Sequence, residues 1–365
     1  MSAVTSPFMM TPDMFMQQWQ AAIRKVAALP RVAEAARNSR VGTTPAQVVY
    51  REDKLNLLRY DSDVEKHFKT PLIVVFALIN RPYILDLKTG KSVVAHFLNR
   101  GFDTYNIDWG VPTYADRHLG LEDYVLRYMD HCVDQVRERT GSDRVNILGY
   151  CMGGSMSAMY TALRPQKVKN FIALAAPFDW SSRDSLLTVW TDEKYFDIDQ
   201  VLDVYGNAPP EWLQQTFLML KPVQNLMEKY IGFFENMDDD KYLEDFFAME
   251  TWLNDNIPVA GEVFRQFVKL CFQRNLPMQG KLEIGGERVD FKNIVCPLLN
   301  LVAQNDHLVP PSQSLPLNTV VGSKDRKSIT LPAGHIGLAV GGRAHRELWP
   351  KACDWLQERS EPLRG

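Results

Sequence analysis

Cysteine is scarce in this 365-residue chain: Cys132, Cys151, Cys271, Cys296 and Cys353, with no CxxC pair among them. An odd, scattered set argues against a disulfide framework and against a zinc site. The expectation is a protein of the reducing cytoplasm with no metal. Long apolar runs are missing as well. The longest, Pro71 to Ile79, is nine residues, whereas a membrane-spanning helix needs roughly 20. Neither charge dominates. With 41 Lys+Arg against 44 Asp+Glu the net charge is −3, which supplies no general basic face for nucleic acid. Met1 to Pro12 lacks a basic start and an unbroken apolar core, so no secretory signal is expected. Internal repeats and low-complexity tracts are absent. What is there is 45% hydrophobic and 23% charged, the balance of a folded globular chain and not of a disordered or fibrous one. The length exceeds the roughly 100–200 residues of a usual single domain. The chain is therefore either two domains or one large α/β unit with an insertion.

Hydrophobic spacing orders the chain. Residues 13 to 40 carry Met14, Trp19, Ala22, Ile23 and Val26 at helical intervals, with Pro30 interrupting, which predicts one or two N-terminal helices. Val48 to Tyr60 reads as two short strands around the polar turn Glu52-Asp53-Lys54. An alternation follows. Leu72 to Ile79, Thr104 to Asp108, Val145 to Leu148 and Phe171 to Ala175 read as strands; Ser92 to Asn99, Leu121 to Arg139 and Ser155 to Leu163 read as helices between them. That rhythm predicts an α/β class with a doubly wound, mostly parallel sheet. It stops from Pro177 to Val295, a block rich in Trp, Phe, Leu and Met with helical stretches. It resumes at Pro297 to Ala303, Ser328 to Leu331 and a closing helix, Ala344 to Leu356. The expected organisation is an N-terminal helical segment (1–40), a core (41–176 and 296–365) and a helical cap insertion (177–295).

The sharpest local signal is Leu148-Gly149-Tyr150-Cys151-Met152-Gly153-Gly154, between a strand and a helix. It is the G-x-S-x-G nucleophile elbow of the α/β-hydrolase fold, with cysteine in place of serine. Gly149 and Gly153 are needed because side chains there would clash across so tight a turn. The turn lifts Cys151 above the sheet and sets the Met152 backbone N–H where an oxyanion would form. The same helix end favours the thiolate, the attacking species. This fold requires the chain order nucleophile, acid, histidine. Asp306 follows the strand Leu298 to Val302, and His335 follows the next one, in Gly334-His335. His307 adjoins Asp306 and is a candidate support for it. A second oxyanion donor is expected at the tip of the first long strand, Ile79-Asn80-Arg81, from a backbone N–H or from Asn80 itself. The remaining cysteines read as packing, and His67, His96, His118, His131 and His345 as surface residues.

Cysteine also carries a thermodynamic hint. A thiolate that attacks a thioester exchanges one thioester for another, so the acyl-enzyme keeps its transfer potential and can pass the acyl group to an alcohol. Acyl transfer from a thioester donor is thus favoured over simple hydrolysis.

At this point a resemblance becomes specific. The motifs Leu78-Ile79-Asn80-Arg81-Pro82-Tyr83-Ile84-Leu85-Asp86-Leu87, Asp108-Trp109-Gly110, Gly149-Tyr150-Cys151-Met152-Gly153-Gly154, Ala176-Pro177-Phe178-Asp179, Asn305-Asp306-His307 and Gly334-His335 stand in order along the chain. From about Val41 to the C-terminus the chain resembles the polyhydroxyalkanoate synthases, in particular the short catalytic subunits of the two-subunit types (class III or IV). The resemblance implies that Cys151 holds the growing (R)-3-hydroxyacyl chain as a thioester. It implies that His335 deprotonates Cys151 and that Asp306, with His335, helps activate the 3-hydroxyl of the incoming unit. The implied donor is (R)-3-hydroxyacyl-coenzyme A with a short acyl chain such as 3-hydroxybutyryl, and no cofactor is required. A second, accessory subunit, assembly as a homodimer or hetero-oligomer, and a cytoplasmic polyester granule are implied as surroundings. The tract before residue 41 is much shorter than the N-terminal extension of the single-subunit type. Two other readings stand beside this one: a cysteine hydrolase or thioesterase of the same fold, and a non-catalytic member that binds the granule.

Overall fold

The computed structural model describes residues 12–363; the tract before residue 12, where no secretory signal is expected, lies outside them. By compactness the chain falls into two units, whose boundaries differ from the three segments expected. One unit joins the residues up to Arg40 with Lys221–Thr251; the other joins Val41–Leu220 with Trp252 onward.

The smaller unit is helical. Its first helix, α1 (Pro12–Asn38), runs unbroken through Pro30, contrary to the expected interruption. A proline costs a helix one N–H and a clash with the preceding turn. Packing on both sides of Pro30 offsets that cost: Ala28 is buried with Met237 and Leu243, and Val32, Ala35, Phe233 and Phe247 pack around them. Trp19, Ile23 and Val26, read as the apolar face, are 58%, 53% and 67% exposed. The packed face is the one a few positions further on.

The larger unit is built on one eight-stranded sheet. Its strands are β1 (Ala46–Glu52), β2 (Leu55–Tyr60), β3 (Leu72–Val75), β4 (Thr104–Asp108), β5 (Val145–Tyr150), β6 (Val168–Leu174), β7 (Leu298–Ala303) and β8 (Arg326–Leu331). The spatial order is β1-β2-β4-β3-β5-β6-β7-β8. β1 and β2 are antiparallel, β2 is antiparallel to β4, and every pairing from β4 to β8 is parallel. Every residue of β3, β5 and β7 is buried, as expected where helices cover both faces of a parallel sheet. Each fully buried Leu, Ile or Val side chain there contributes roughly 1.5–3 kcal/mol.

β3 is shorter than its apolar run suggests. At Phe76 the backbone leaves the ladder, and its carbonyl accepts a hydrogen bond from the Trp109 indole N–H (3.0 Å). Helices α2 (Val93–Leu98), α3 (Met129–Thr140), α4 (Met152–Leu163) and α5 (Trp349–Gln357) cover the sheet. α4 begins three residues earlier than the periodicity suggested, directly at the elbow. The expected helix from Leu121 is a wide π-helical stretch, Glu122–Tyr128, that runs into α3.

Between β6 and β7 the chain forms helices (Ile198–Tyr205, Pro210–Met219, Lys229–Asn236, Asp240–Asn254 and Gly261–Gln266) and one two-stranded ribbon, Glu283–Ile284 with Glu287–Arg288. Among the described residues no helix is long and apolar enough to cross a membrane.

Candidate active site

Strand order reverses direction around β3 and β5, and in open parallel sheets the crevice beyond the strand ends at such a reversal is where ligands bind. Cys151 stands there, between β5 and α4. Its backbone is left-handed, φ 56° and ψ −128°, a conformation that costs a non-glycine residue on the order of 1–3 kcal/mol. The Cys151 N–H is tied to the Leu174 carbonyl of β6 (2.9 Å). The surrounding glycines make the bend possible. A Cβ at Gly149 would lie 2.6 Å from Gly154 Cα, and one at Gly153 would lie 2.4 Å from the Val75 and Phe76 carbonyl oxygens of the neighbouring strand. Gly154 is equally tight, 2.4 Å from Ala176 Cβ. Met152 is the first residue of α4. Its N–H has no carbonyl within the helix to bond, so with the helix dipole behind it, it can meet a developing oxyanion.

Asp306 lies just after β7, and its side chain is fully shielded from solvent. Oδ1 accepts the N–H groups of Leu308 (2.9 Å) and Val309 (2.8 Å). Oδ2 accepts from His335 Nδ1 at 2.7 Å. Because a carboxylate only accepts, Nδ1 carries the proton, and Nε2 is left for Cys151. Burial alone would push the imidazolium toward deprotonation. The charges of Asp306 and Cys151 and their hydrogen bonds outweigh it and raise the His335 pKa to about 10. Cys151, Asp306 and His335, read separately from the sequence, are thus brought together.

The other expected residues fare differently. Asn80 is buried with φ 69°. Its side chain is spent locally: Oδ1 accepts the Arg81 N–H (2.6 Å) and Nδ2 donates to Asn256 (3.2 Å). His307 has an exposed side chain, and its carbonyl accepts from the Ser185 hydroxyl (3.4 Å). Cys132, Cys271, Cys296 and Cys353 are buried. Burial pushes the thiols of Cys296 and Cys353 up to about 12 and those of Cys132 and Cys271 higher still. His67 and His118 are exposed, and His131 pairs with Glu52 at 2.8 Å. His96 and His345, read as surface residues, are half-buried and stack on each other, ring centroids 5.2 Å apart, with their nitrogens at 3.0 Å.

Sequence reasoning missed Tyr150 and the role of Trp109. The buried Tyr150 ring lies against the His335 imidazole, 5.1 Å between centroids and 26° from parallel, and its hydroxyl donates to the His335 carbonyl (3.3 Å). Phe76 backs Tyr150 from the other side (5.4 Å). Trp109 fixes the carbonyl of that same Phe76. Gly110 follows with φ 73°, where a Cβ would fall 2.1 Å from the Lys54 carbonyl oxygen. The Asp108-Trp109-Gly110 motif is therefore a brace for the elbow's neighbour strand.

Comparison with known proteins identifies the family of the chain. A family model for the alpha/beta hydrolase fold matches residues 84–341, and one for the N-terminus of poly-beta-hydroxybutyrate polymerase (PhaC) matches residues 32–97. The poly(3-hydroxyalkanoate) polymerase subunit PhaC of Haloferax mediterranei is 45% identical over 359 residues, covering 98% of this chain and 73% of that one. The subunit of the same name from Allochromatium vinosum is 44% identical over 320 residues, covering 87% of this chain and 90% of its own length. Among solved structures, a putative lipase from Sulfolobus solfataricus superposes with a TM-score of 0.50 at 14% identity, over 86% of this chain and 99% of that one, which speaks for the fold alone. With more than two-fifths of the aligned residues shared over most of this chain, the chain belongs to the poly(3-hydroxyalkanoate) polymerase family, on an α/β-hydrolase fold.

Proposed function

We propose that this chain is the catalytic subunit of an acyltransferase that polymerises (R)-3-hydroxyacyl-coenzyme A, of short acyl length such as 3-hydroxybutyryl, into polyhydroxyalkanoate with release of coenzyme A. Polymerisation into polyhydroxyalkanoate is the activity its relatives are named for. The single observation that carries the mechanism is the 2.7 Å contact between Asp306 and His335, beside a cysteine held in a left-handed bend.

His335 Nε2 takes the thiol proton of Cys151, and the thiolate attacks the thioester carbonyl of the donor. The Met152 N–H stabilises the oxyanion. As the C–S bond to coenzyme A breaks, the imidazolium returns its proton to the departing thiolate, and the acyl group rests on Cys151. The 3-hydroxyl of a second donor then gives its proton to His335 and attacks that thioester. A new ester forms, the Cys151 thiolate leaves, and the lengthened chain sits on coenzyme A. Cys151 attacks once more, and the chain returns to the enzyme with free coenzyme A released. Asp306 holds the imidazole in the tautomer that each proton transfer requires. No step consumes an oxidant or a reductant.

Within the segment 177–295 expected as a cap, residues 177–220 and 252–295, which belong to the larger unit, serve as the cap over these loops. Two sets of contacts support that reading. The Ser185 hydroxyl bonds the carbonyls of His307 and Leu308 beside Asp306, and residues 252–256 bond the loop after β3. The enzyme works with an accessory subunit at the surface of polyester granules in the cytoplasm.

The test is a polymerisation assay with (R)-3-hydroxybutyryl-coenzyme A. Free thiol together with a sedimenting polyester is expected, and Cys151→Ala abolishes both. Free 3-hydroxybutyrate without polymer, with an accessory subunit supplied, makes the protein a thioesterase. Absence of any acyl group on Cys151 makes it a non-catalytic granule binder.

A further inference from the structure

The motif that opens with Ile79-Asn80-Arg81-Pro82-Tyr83 is only partly used by the mechanism above. Asn80 lies in the loop after β3, yet Arg81 and Tyr83 contact no reacting group. Their hydrogen bonds go to one short segment about 170 residues away. Arg81 Nε donates to Asp255 Oδ1 at 3.2 Å, and the Tyr83 hydroxyl donates to Asp255 Oδ2 at 2.9 Å. On either side of Asp255, the Trp252 indole N–H donates to the Arg81 carbonyl (2.8 Å), and Asn256 accepts from the Asn80 amide (3.2 Å). Four hydrogen bonds therefore run from residues 252–256, at the end of the helix Asp240–Asn254, to the four-residue loop 80–83.

The position of that loop gives the contacts a catalytic meaning. It leaves β3 just past Val75 and Phe76, whose carbonyls press against Gly153 of the elbow. It continues into the turn Pro82–Leu85, which packs on Gly337–Val340, the helical turn that directly follows His335. The chain just before the loop presses on the nucleophile's bend, and the turn after it packs on the histidine's loop. Asn80 holds φ 69° there, a conformation a non-glycine residue keeps only where its surroundings enforce it. The local bond from Arg81 N–H to Asn80 Oδ1 supplies part of that enforcement. Among the described residues, the other hydrogen bonds to this loop's side chains, and that to the Arg81 carbonyl, come from residues 252–256.

We propose that Asp255 is a positioning residue for the acyl-transfer reaction: by holding Arg81 and Tyr83 with its two carboxylate oxygens, it fixes the loop after β3 in the shape that presents backbone N–H groups to the acyl oxygen. The proposal rests on the reading of Cys151 as nucleophile. It also explains why an arginine and a tyrosine sit in the loop after β3, where neither touches the chemistry. A carboxylate that spans two donors sets both angle and distance, which a single contact does not. Burial and the neighbouring carboxylate hold the Tyr83 hydroxyl protonated, as a donor, over the whole working range. Movement of the inserted segment would carry Asp255 with it, so the oxyanion loop would be complete only while residues 252–256 are seated.

The experiment uses the full chain with (R)-3-hydroxybutyryl-coenzyme A and compares Asp255→Ala with wild type in three readouts. These are kcat and KM for thiol release, the rate of Cys151 alkylation by iodoacetamide, and the melting temperature. Alkylation needs the thiolate but no oxyanion donor, so it reports the Cys151–His335 pair alone. Asp255→Ala is expected to lower kcat about tenfold, the scale on which weakened oxyanion support acts, with KM and the alkylation rate within about twofold of wild type. Arg81→Gln and Tyr83→Phe are each expected to add less than about twofold when combined with Asp255→Ala, because the three act as one unit. Unchanged kcat in Asp255→Ala overturns the proposal. So does a loss of kcat that is matched by lost alkylation and a lower melting temperature, since that is a folding defect. Turnover by Cys151→Ala would instead remove the nucleophile reading itself, and the proposal with it.

Discussion

The Tyr150 ring lies face to face with the His335 imidazole, 26° from parallel, and its hydroxyl reaches the backbone carbonyl of the same histidine. Nδ1 of His335 is held by Asp306, but one hydrogen bond leaves the ring free to swing about it. The stacked tyrosine removes that freedom, and its π-face favours the imidazolium that forms when Cys151 gives up its proton. Tyr150→Leu is expected to lower kcat about tenfold and to shift the pH profile of Cys151 alkylation, while Tyr150→Phe, which keeps the ring, stays within about threefold of wild type. Alkylation rates from pH 5 to 10 decide it. A Tyr150→Leu profile that overlays the wild-type one leaves the ring with packing alone.

The pair behind that ring also sets a pH dependence. The His335 pKa is raised from about 6.5 to about 10 in the fold, against the pull of burial, chiefly by the charges of Asp306 and Cys151. A raised pKa means that the folded state holds a proton the unfolded chain gives up. The stabilisation is complete below pH 6.5 and is lost as pH rises toward 10. Asp306→Asn removes most of it. Urea unfolding at pH 6, 8 and 10 is expected to show Asp306→Asn less stable than wild type by a few kcal/mol at pH 6, with the gap closing toward pH 10. The same variant separates two catalytic roles. If Asp306 acts on the incoming hydroxyl, Cys151 still becomes acylated and elongation slows strongly. Equal loss of both steps assigns Asp306 to orientation of the imidazole, the role its contact with Nδ1 directly supports.

The elbow stores strain that substitution can release. Cys151 holds φ 56°, which glycine adopts without penalty. Cys151→Gly is expected to be inactive yet more stable than Cys151→Ala by about 1 kcal/mol in urea unfolding. Gly153→Ala goes the other way. Its Cβ would stand 2.4 Å from two backbone oxygens of the neighbouring strand, atoms that cannot rotate aside. A loss of about 3 kcal/mol or outright failure to fold is expected. Cys151→Gly less stable than Cys151→Ala would show that the bend is not strained.

Much of this was legible in the sequence, and the parts that were not share a cause. The parallel strands showed because burial on both faces leaves runs such as Leu72-Ile73-Val74-Val75 with no polar residue. The grouping of Cys151, Asp306 and His335 showed because the elbow glycines are dictated by backbone collisions, and because chain order alone constrains where the carboxylate and the histidine follow. Contacts between elements left no periodic trace. Nothing in Tyr150 itself tells a stacking partner from a core tyrosine, and Asp255 lies in a helical block whose pattern reports only its own helix. The end of β3 was misjudged for the same reason: the residues past Val75 stay apolar and buried, and only the indole of Trp109, 33 positions on, takes Phe76 out of the ladder. Pro30 misled in the opposite direction, since local propensity forbids what the packing of Ala28 and Val32 enforces.

The pairing of His96 with His345 was invisible for that reason too, and it makes the last prediction. The two nitrogens stand 3.0 Å apart, so one ring must donate and the other accept, and the pair requires at least one neutral imidazole. Burial and then the His96 charge, with Lys91 adding to it and the Ala339 carbonyl opposing, lower the His345 pKa to about 4. Burial and Arg100 lower that of His96 as well. The sign is opposite to that of His335. Here the unfolded chain takes up protons below pH 6.5 that the fold refuses, so stability present above that pH is lost as pH falls toward 4. Because the His345 site is partly open to solvent, the effect is discounted to about 1–2 kcal/mol. His345→Gln cannot charge, and its unfolding free energy is expected to stay flatter than wild type between pH 6.5 and 4.5. The two variants to compare are His345→Gln and the exposed His118→Gln, by urea titration at half-unit steps. Only the first should flatten the curve. Parallel curves for all three proteins would mean that the stacked pair does not couple protonation to folding.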